Sequence, residues 1–569
     1  MFLLLFCFGF YFCGGGEEKG DIGDPCSSPN DCKPGLFCSQ EGYCYKPSID
    51  GGIDVNEDVV LEDDREEEPQ VCNLEDQDGD NIADIYEGDG DVDNDGIPNK
   101  LDDDSDGDGI PDRIEGGTDS PCEYPRSSDD DGKPDYIDLD SDGDNLSDRE
   151  EVEWGSNPYS ADTDGDGYND LTEYIAGTDP NRADSNPEGE IFYFVLPYMD
   201  PNGPQEEQLE FTTNIKIGDI FFLIDTTNSM GEEIENLLNG LTSIIIPALE
   251  NLLEDATMGV GRFDDFPVMP YGNRFDGDVV FELVQQITSD YSRVYGAIDS
   301  LELHNGEDLP EASLMALWHI ATTDTLGGYI LPPVLDPSVP GTGTIGGVGF
   351  REDALPIIVL ITDAPMHNGP NNSNPYDPSI IDITPPSYDD VVDALLDIGV
   401  RVVGIGGADA IPDLERIAMD TGTVTREGDP IVHQISPDGT GLSDSVAEQI
   451  QTLITGTPQD VSTRLVDDPY DTVDATQFIK AVRPVEGDPP PPVGYDHHDG
   501  DQNPFGTFYG VIPGTTLTFS IEAYNDVVEQ IENRTQIYRC TIVLLGNGVT
   551  RLDQRIVIIV IPPKEEIIG

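Results

Sequence analysis

The chain has 569 residues, which is enough for several separately folded cores. It carries 116 acidic and 26 basic side chains, and the formal charge of −90 excludes nucleic acids and anionic lipid surfaces as partners, because a polyanion is repelled by both. Such a charge requires either a solvated, disordered chain or bound multivalent cations, and the spacing of the carboxylates decides between the two.

The N-terminal residues 1–13 form an apolar run of Phe and Leu that is too short to cross a bilayer, which needs about 20 apolar residues. We expect a signal segment, and hence a protein that is exported to the outer cell surface or secreted. Cys13 is followed by three glycines. This start resembles a mature bacterial lipoprotein, which implies lipidation of Cys13 and a lipid anchor as the only contact with a membrane.

Residues 14–71 are expected to form a cysteine-rich knot followed by an acidic linker. This segment has no apolar run that could form a buried core, so we expect disulfides to stabilise it. Three connectivities of the four cysteines are possible, and a zinc site is the alternative interpretation. The cysteines concerned are Cys26, Cys32, Cys38 and Cys44. Cys72 and Cys122 are candidates for a further pair, and Cys540 is left single as a buried apolar side chain.

Residues 72–187 repeat an acidic loop in which positions 1, 3, 5, 9 and 12 carry oxygen-bearing side chains. In such a loop alternate side chains point inward, and a Gly near position 4 or 6 permits the turn. Position 12 closes a shell of about seven oxygens, which suits Ca²⁺ better than Mg²⁺. The loops comprise Asp76, Asp78, Asp80, Asp84 and Glu87; Asp91, Asp93, Asp95, Asn99 and Asp102; Asp104, Asp106, Asp108, Asp112 and Glu115; Ser127, Asp129, Asp131, Asp135 and Asp138; Asp140, Asp142, Asp144, Asp148 and Glu151; and Asp162, Asp164, Asp166, Asp170 and Glu173.

A disordered acidic tail would have no reason to keep this spacing, and the loops lack the long flanking helices of a paired EF-hand. The pattern resembles thrombospondin type 3 repeats. That resemblance implies a rigid stalk that wraps Ca²⁺ ions in place of a hydrophobic core, so that ion binding and folding are one equilibrium.

From residue 219 to 457 apolar strands alternate with amphipathic helices, which predicts a doubly wound (Rossmann-like) α/β domain. The strands Ile220–Ile224 and Pro356–Thr362 are continuous apolar runs, and Arg401–Gly406 is a third. The first strand ends in an Asp-x-Thr-x-Ser turn and the second in Asp363. Carboxyl ends of parallel strands meet at one edge of the sheet, where α/β sheets bind ligands. One carboxylate and two hydroxyls suit a small, hard cation.

These residues resemble the metal-ion-dependent adhesion site of the von Willebrand factor A family. The segments Gly259–Val268 and Asp308–Glu311 are similar to those of the I-like domain of integrin β subunits. The resemblance implies an Mg²⁺ or Mn²⁺ ion held by Asp225, Thr227, Ser229, Glu311 and Asp363. It also implies two adjacent Ca²⁺ sites, one formed by Asp265, Asp308, the Pro310 carbonyl and Glu311, and one by Glu232 and Glu233.

An ion with protein on one side and water on the other can accept a carboxylate from a protein or another ligand. The sequence contains no His-Glu-x-x-His helix, Gly-x-Ser-x-Gly elbow or phosphate loop, so we expect no enzyme. We expect an adhesion or ligand-binding protein whose partner is set by Pro267–Asp276 and Met366–Pro386. The alternatives are a structural calcium-binding matrix or envelope component with a vestigial adhesion site, and a metal-dependent hydrolase.

Residues 458–569 contain apolar runs separated by Gly, Pro and Asn, which predicts an antiparallel β-sandwich. The strand-like runs in residues 188–218 are candidates for the same domain. The histidines of Asp496–Asp501 stand next to one another, and adjacent loop residues rarely converge on one ion, which favours a solvated turn over a metal site.

Overall fold

The computed structural model describes residues 73–564 except 130, 188–190, 437–438, 492, 496–504 and 532, together with one pair of strands near the N-terminus. Residues 1–71 and 72–569 form two separate units. In the first, β1 (Phe37–Cys38) pairs antiparallel with β2 (Cys44–Tyr45). The predicted signal segment, Cys13, and the side chains of the four knot cysteines lie outside the described residues. Cys122 is disulfide-bonded, and its predicted partner Cys72 also lies outside them.

The acidic array consists of tight turns, each followed by about one helical turn. The helical segments are α1 (Asp84–Glu87), the 3₁₀ turn Asn99–Leu101, α2 (Asp112–Glu115), the 3₁₀ turn Asp135–Ile137, α3 (Asp148–Trp154) and α4 (Asp170–Ala176). Each begins at the ninth residue of a predicted loop. Among the described residues, the fourth and sixth positions of the loops have a positive φ that turns the chain, which is 72° at Gly107 and 100° at Gly109. Asn replaces Gly at this kind of position in Asn81, with φ of 79°.

The first two strands after the array, β3 (Tyr193–Val195) and β4 (Gln205–Thr212), belong to the C-terminal sheets described below. The next six strands form one mixed sheet: β5 (Ile217–Asp225), β6 (Asp255–Phe263), β7 (Glu282–Thr288), β8 (Leu355–Thr362), β9 (Arg401–Gly406) and β10 (Val432–Gln434). The sheet order is β7-β6-β5-β8-β9-β10, with only β7 antiparallel among these strands. The strand order reverses between β5 and β8, and this switch point is where a doubly wound sheet offers a crevice.

Helices cover both faces of this sheet. They are α5 (Gly231–Gly240), α6 (Ile246–Leu252), α7 (Tyr291–Asp299), α8 (Ser313–Thr322), α9 (Pro378–Ile381), α10 (Tyr388–Asp397), α11 (Ile411–Asp420) and α12 (Leu442–Gly456). Side chains of β5 alternate between two apolar clusters, with Phe222 on one face and Phe221 on the other. A strand buried on both faces therefore needs its continuous apolar sequence. Among the helices that the structure describes, none is both long and apolar enough to cross a membrane.

The C-terminal segment forms two further sheets. Its strands are β11 (Gln459–Asp467), β12 (Ile479–Asp488), β13 (Gly494–Tyr495), β14 (Phe508–Val511), β15 (Thr516–Ala523), β16 (Gln536–Gly546) and β17 (Thr550–Ile561). The sheet orders are β13-β14-β11-β16-β17-β3 and β12-β15-β4. Phe508 on β14 meets Phe519 on β15 edge to face, with ring centroids 5.1 Å apart. Strands from both sides of the α/β domain thus share these sheets, and Cys540 on β16 is a buried free thiol.

The acidic array packs against this C-terminal unit. Leu146, Leu171 and Ile175 share a buried apolar cluster with Ile558 and Val560 of β17. The expectation of a stalk held by ions in place of a hydrophobic core therefore needs correction for residues 146–175. The apolar side chains of α4 and of the turn before α3 are buried because a sheet edge lies against them.

Candidate metal centres

Asp225 is the last residue of strand β5, and its side chain is completely buried. Its Oδ1 accepts hydrogen bonds from Thr227 N at 2.9 Å and from Thr227 Oγ1 at 2.7 Å. Its Oδ2 accepts one from Thr362 Oγ1 at 2.6 Å. Burial raises the pKa of Asp225 to about 7 in spite of these bonds. These hydrogen bonds fix the position of the carboxylate, but their neutral donors do not balance its negative charge.

The loop after β8 brings Asp363 to the same place. Ser229 Oγ donates to Asp363 Oδ1 at 3.1 Å, and Ser229 Oγ lies 3.3 Å from Thr227 Oγ1. Asp225 is buried and Ser229 is exposed. The four side chains predicted from the two strand ends therefore form one cluster with a face open to solvent.

Glu311 is the fifth predicted member, and its carboxylate is adjacent to Thr227. A Cβ placed on Gly306 would lie 3.0 Å from Glu311 Oε1 and 3.3 Å from Thr227 Cγ2. The Oε2 atom is buried and has no hydrogen-bond partner among the described residues. Burial first, and then the charge of Asp225, raise the pKa of Glu311 to about 12. A divalent cation would satisfy such a buried cluster of carboxylates and hydroxyls, so the residues fit the metal that the sequence implies.

Backbone hydrogen bonds join the loops that carry these ligands. Glu311 N donates to Pro365 O at 3.0 Å, and His367 N donates to Glu311 O at 3.0 Å. On the other side, His304 N donates to Thr226 O at 2.8 Å. Residues far apart in the sequence therefore keep a fixed geometry around the cluster.

A second cluster lies beside the first and differs from its predicted composition. Asp265 Oδ2 and Asp308 Oδ2 each lie 3.3 Å from Nε2 of His367. His367, a residue absent from the predicted ligand set, thus stands between the two predicted carboxylates, while Pro310 directly precedes Glu311 in the neighbouring loop. The only sequence signal for His367 is its place four residues after Asp363, in a loop that already carries a predicted ligand.

Glu232 and Glu233 lie in the first turn of α5. Glu233 is buried and Glu232 is exposed. A Cβ on Gly439 would come within 3.0 Å of the Glu233 backbone, so the start of α5 is covered by another loop. Acidic residues in a first helical turn are stabilised by the helix dipole, which explains their position without an ion.

In the acidic array, carboxylates at positions 3, 5 and 12 are buried without enough hydrogen-bond donors. Both carboxylate oxygens of Asp78, Glu87 and Glu115 have no hydrogen-bond partner among the described residues. Burial, followed by the charges of neighbouring Asp residues, raises the pKa of Glu87 to about 9 and that of Glu115 to about 12. Ligand oxygens within 4.8 Å of one another are contributed by Asp76, Asp78 and Asp80, by Asp91, Asp93 and Asp95, and by Asp104, Asp106 and Asp108. This donor set fits Ca²⁺.

The ninth residue of a loop has an additional role that the spacing did not reveal. Asp112 accepts from Ser105 N at 2.8 Å and from Ser105 Oγ at 2.6 Å, so both oxygens brace its own loop. The bracing recurs in the pairs Ser128–Asp135, Ser141–Asp148 and Thr163–Asp170. Asp112 also lies with Asp80 and Glu87 of the first loop, with ligand atoms within 4.8 Å of one another. Distant loops are therefore coupled through their carboxylates.

Two family models match the chain. The integrin beta chain VWA domain matches residues 216–373, and the bacterial TSP3 repeat matches residues 140–161 and 162–183. Comparison with curated proteins gives no match. Among solved structures, a von Willebrand factor type A protein from Catenulispora acidiphila is 14% identical, with a TM-score of 0.29, and the match covers 64% of this chain and 71% of that one. Proximal thread matrix protein 1 from the mussel byssus is 15% identical, with a TM-score of 0.26, and the match covers 45% of this chain and 51% of that one.

The first match contains the Asp225 turn, and the second contains the acidic loops that begin at Asp140 and Asp162. They confirm both resemblances that the sequence indicated for these segments. The chain therefore combines a von Willebrand factor A domain of the integrin β type with thrombospondin type 3 repeats of the bacterial type.

Proposed function

We propose that this protein is a non-enzymatic, exported adhesion or ligand-binding protein. It captures a carboxylate of a partner through an Mg²⁺ or Mn²⁺ ion held by Asp225, Thr227, Ser229, Glu311 and Asp363. The observation that carries the proposal is the gradient of exposure across this cluster, from buried Asp225 and Glu311 to exposed Ser229. A cation placed there has protein oxygens on its inner side and a free position toward solvent.

The surface near the cluster supports a protein as the partner. Three large apolar side chains are exposed there: Met269 by 60%, Phe275 by 98% and Leu309 by 62%. The loop that carries Met269 and Phe275 lies against the neighbouring loop, since Glu307 N donates to Tyr271 O at 3.2 Å. Apolar side chains beside a charged anchor are typical of binding hot spots.

The calcium array and the disulfide support an extracellular location. Extracellular calcium modules use weak sites that fill at the high calcium concentrations outside cells. A disulfide at Cys122 is typical of an oxidising compartment. In this proposal Cys13 carries the lipid if the protein is anchored, and the array presents the adhesion domain.

Partner capture from cell-surface extracts tests the proposal. The full chain is immobilised in Ca²⁺ with Mg²⁺, or in Ca²⁺ alone, and compared with Asp225→Ala. Exposed Asp299 at the end of α7 provides the matched control Asp299→Asn. We expect capture that requires Mg²⁺, disappears in Asp225→Ala and persists in Asp299→Asn. Equal capture by Asp225→Ala, or capture in Ca²⁺ alone, would instead favour a structural calcium-binding component with a vestigial adhesion site.

A further inference from the structure

We propose that Asp264 is a positioning residue, which holds Thr226 in place and thereby gives the adhesion site its preference for Mg²⁺ or Mn²⁺ over Ca²⁺. This inference rests on the proposed function, because it concerns the ion that Asp225 and Thr227 would hold. Asp264 directly follows β6 and is outside the predicted ligand set. Both Asp264 and Thr226 are completely buried.

Thr226 stands between two predicted ligands in the turn after β5, and its backbone and side chain are both bonded. Thr226 N donates to Phe263 O at 3.0 Å, and Thr226 O accepts from His304 N at 2.8 Å. Thr226 Oγ1 donates to Asp264 Oδ1 at 2.6 Å. A rotation of this residue would break buried hydrogen bonds, which is costly because their partners would be left unsatisfied. The ligands on either side of Thr226 are therefore fixed with it.

Asp264 is itself fixed by a second set of donors. Its Oδ2 accepts from Arg262 Nη1 at 2.9 Å and from Val279 N at 3.1 Å. Arg262 Nε in turn donates to Glu282 Oε2 at 2.7 Å. A buried carboxylate is retained in a fold when it is paired and hydrogen-bonded in this way. Both oxygens of Asp264 are thus occupied, so the residue positions its neighbours and does not coordinate the ion.

The main chain of Asp264 reaches the other side of the adhesion site. Ala312 N donates to Asp264 O at 2.9 Å, and Asp264 N donates to Val279 O at 2.8 Å. Ala312 directly follows the ligand Glu311 at the start of α8. Asp264 therefore links the two chain segments that carry Thr227 and Glu311, which lie far apart in the sequence.

Fixed ligands favour the smaller ion. Mg²⁺ needs a near-ideal octahedron of oxygens at about 2.0–2.1 Å, whereas Ca²⁺ accepts irregular shells at about 2.3–2.6 Å. Mn²⁺ also suits an octahedral shell of oxygens. If the turn after β5 could shift, its oxygens would accommodate Ca²⁺ more readily. The hydrogen bond between Thr226 and Asp264 prevents that shift.

Matched replacements of Thr226 in the full chain test this inference. Thr226→Val removes the hydroxyl and keeps the shape of the side chain, whereas Thr226→Ser keeps the hydroxyl. The acidic array is saturated with Ca²⁺, and Mn²⁺ binding is followed by the electron paramagnetic resonance of free Mn²⁺. The binding that disappears in Asp225→Ala is assigned to the adhesion site. We expect the Mn²⁺ affinity of this site to fall at least about tenfold in Thr226→Val, as is common when a supporting group is lost, and to be retained in Thr226→Ser.

Competition with Ca²⁺ measures the ion preference. Added Ca²⁺ is expected to displace Mn²⁺ from Thr226→Val more easily than from wild type, because loosened ligands accommodate the larger ion. Asp264→Ala is expected to reproduce both changes, and the double variant Thr226→Val/Asp264→Ala to show no further loss, since the two residues act as one unit. Asp264→Ala leaves Arg262 without its buried partner, so Thr226→Val decides the outcome if that variant does not fold.

The results separate this inference from the proposed function. A wild type without an Mn²⁺ site that depends on Asp225 overturns both. A wild type with such a site, combined with an unchanged Mn²⁺ affinity or an unchanged ratio of Mn²⁺ to Ca²⁺ affinity in Thr226→Val, overturns the inference alone. Lower thermal stability of metal-free Thr226→Val with unchanged affinities does the same, because the hydrogen bond would then only stabilise the fold.

Discussion

Ser229 Oγ donates a hydrogen bond to Asp363 Oδ1 over 3.1 Å, although 134 positions separate the two residues. The bond joins the loop after β5 to the loop after β8, which are the two sides of the switch point in the sheet. It also lies on the open face of the cluster. A bound cation would therefore replace this bond with two metal–oxygen contacts and leave its free position toward a partner.

Replacing Ser229 separates binding from folding. Ser229→Ala removes an exposed hydroxyl, and we expect the stability to urea to change by no more than about 0.5 kcal/mol. Mg²⁺ affinity and partner capture are expected to fall by at least about tenfold, because loss of even a supporting group commonly costs 10–100-fold in metal affinity. Exposed Ser243 on the neighbouring helical segment gives the control Ser243→Ala. Unchanged Mg²⁺ affinity in Ser229→Ala would exclude this hydroxyl as a ligand.

We expect the stability of the array to change with pH in opposite directions without and with bound Ca²⁺. Burial raises the pKa of Glu87 to about 9 and that of Glu151 to about 11, from the ordinary glutamate value of 4.5. Without Ca²⁺ the folded state then binds more protons than the unfolded chain, so its stability falls as the pH rises from about 4.5 toward 9. With saturating Ca²⁺ stability rises with pH, because protons compete with the ion. Thermal unfolding at about pH 5 and about pH 8, with and without chelator, measures both trends, and a parallel trend would be inconsistent with buried calcium ligands.

The coupling between distant loops predicts a long-range effect of Asp112. Asp112→Asn removes charge from its own loop and from the cluster with Asp80 and Glu87. We expect calcium titration to show loss or at least about tenfold weakening of two sites rather than one. Asp119→Asn, at an exposed position in the same array, serves as the control. A loss confined to one site would show that the first loop does not use Asp112.

Thr535 adds hydrogen bonds to the apolar contact between the array and the C-terminal sheets. Ser147 N donates to Thr535 Oγ1 at 3.1 Å, and Thr535 N donates to Glu150 Oε2 at 2.9 Å. Thr535→Val leaves the buried Ser147 N–H unsatisfied, and we expect destabilisation by about 1–3 kcal/mol. Limited proteolysis in Ca²⁺ is expected to cut the variant's array faster than that of Thr541→Val, a control on the neighbouring strand. Equal cutting rates would show that the array is held independently of this contact.

The elements that position the adhesion site could be predicted because their signals are local. The strand β9 (Arg401–Gly406) occupies the predicted residues, and β8 is one residue longer than predicted. Both strands are buried on both faces, so their apolar runs mark their limits. Their ligands could be placed together because parallel strands present their carboxyl ends at one edge.

Other features depend on contacts that no spacing encodes. The approach of Asp112 to Glu87 follows from the three-dimensional path of the array, and the packing of Leu171 against Ile558 joins residues nearly 400 positions apart. His367 is a single histidine with no repeat or partner at fixed spacing. Its role emerges only when the fold brings Asp265, Asp308 and Asn374 around its ring.

Anomalous diffraction from crystals of the full chain grown in Ca²⁺ and soaked in Mn²⁺ locates the ion of the proposed adhesion site. We expect a manganese peak in coordination contact with the hydroxyls of Thr227 and Ser229, with at least one position filled by water or by a carboxylate from outside the chain. The absence of a peak there, or an ion enclosed entirely by side chains of this protein, would show that these residues do not form an open metal-binding site.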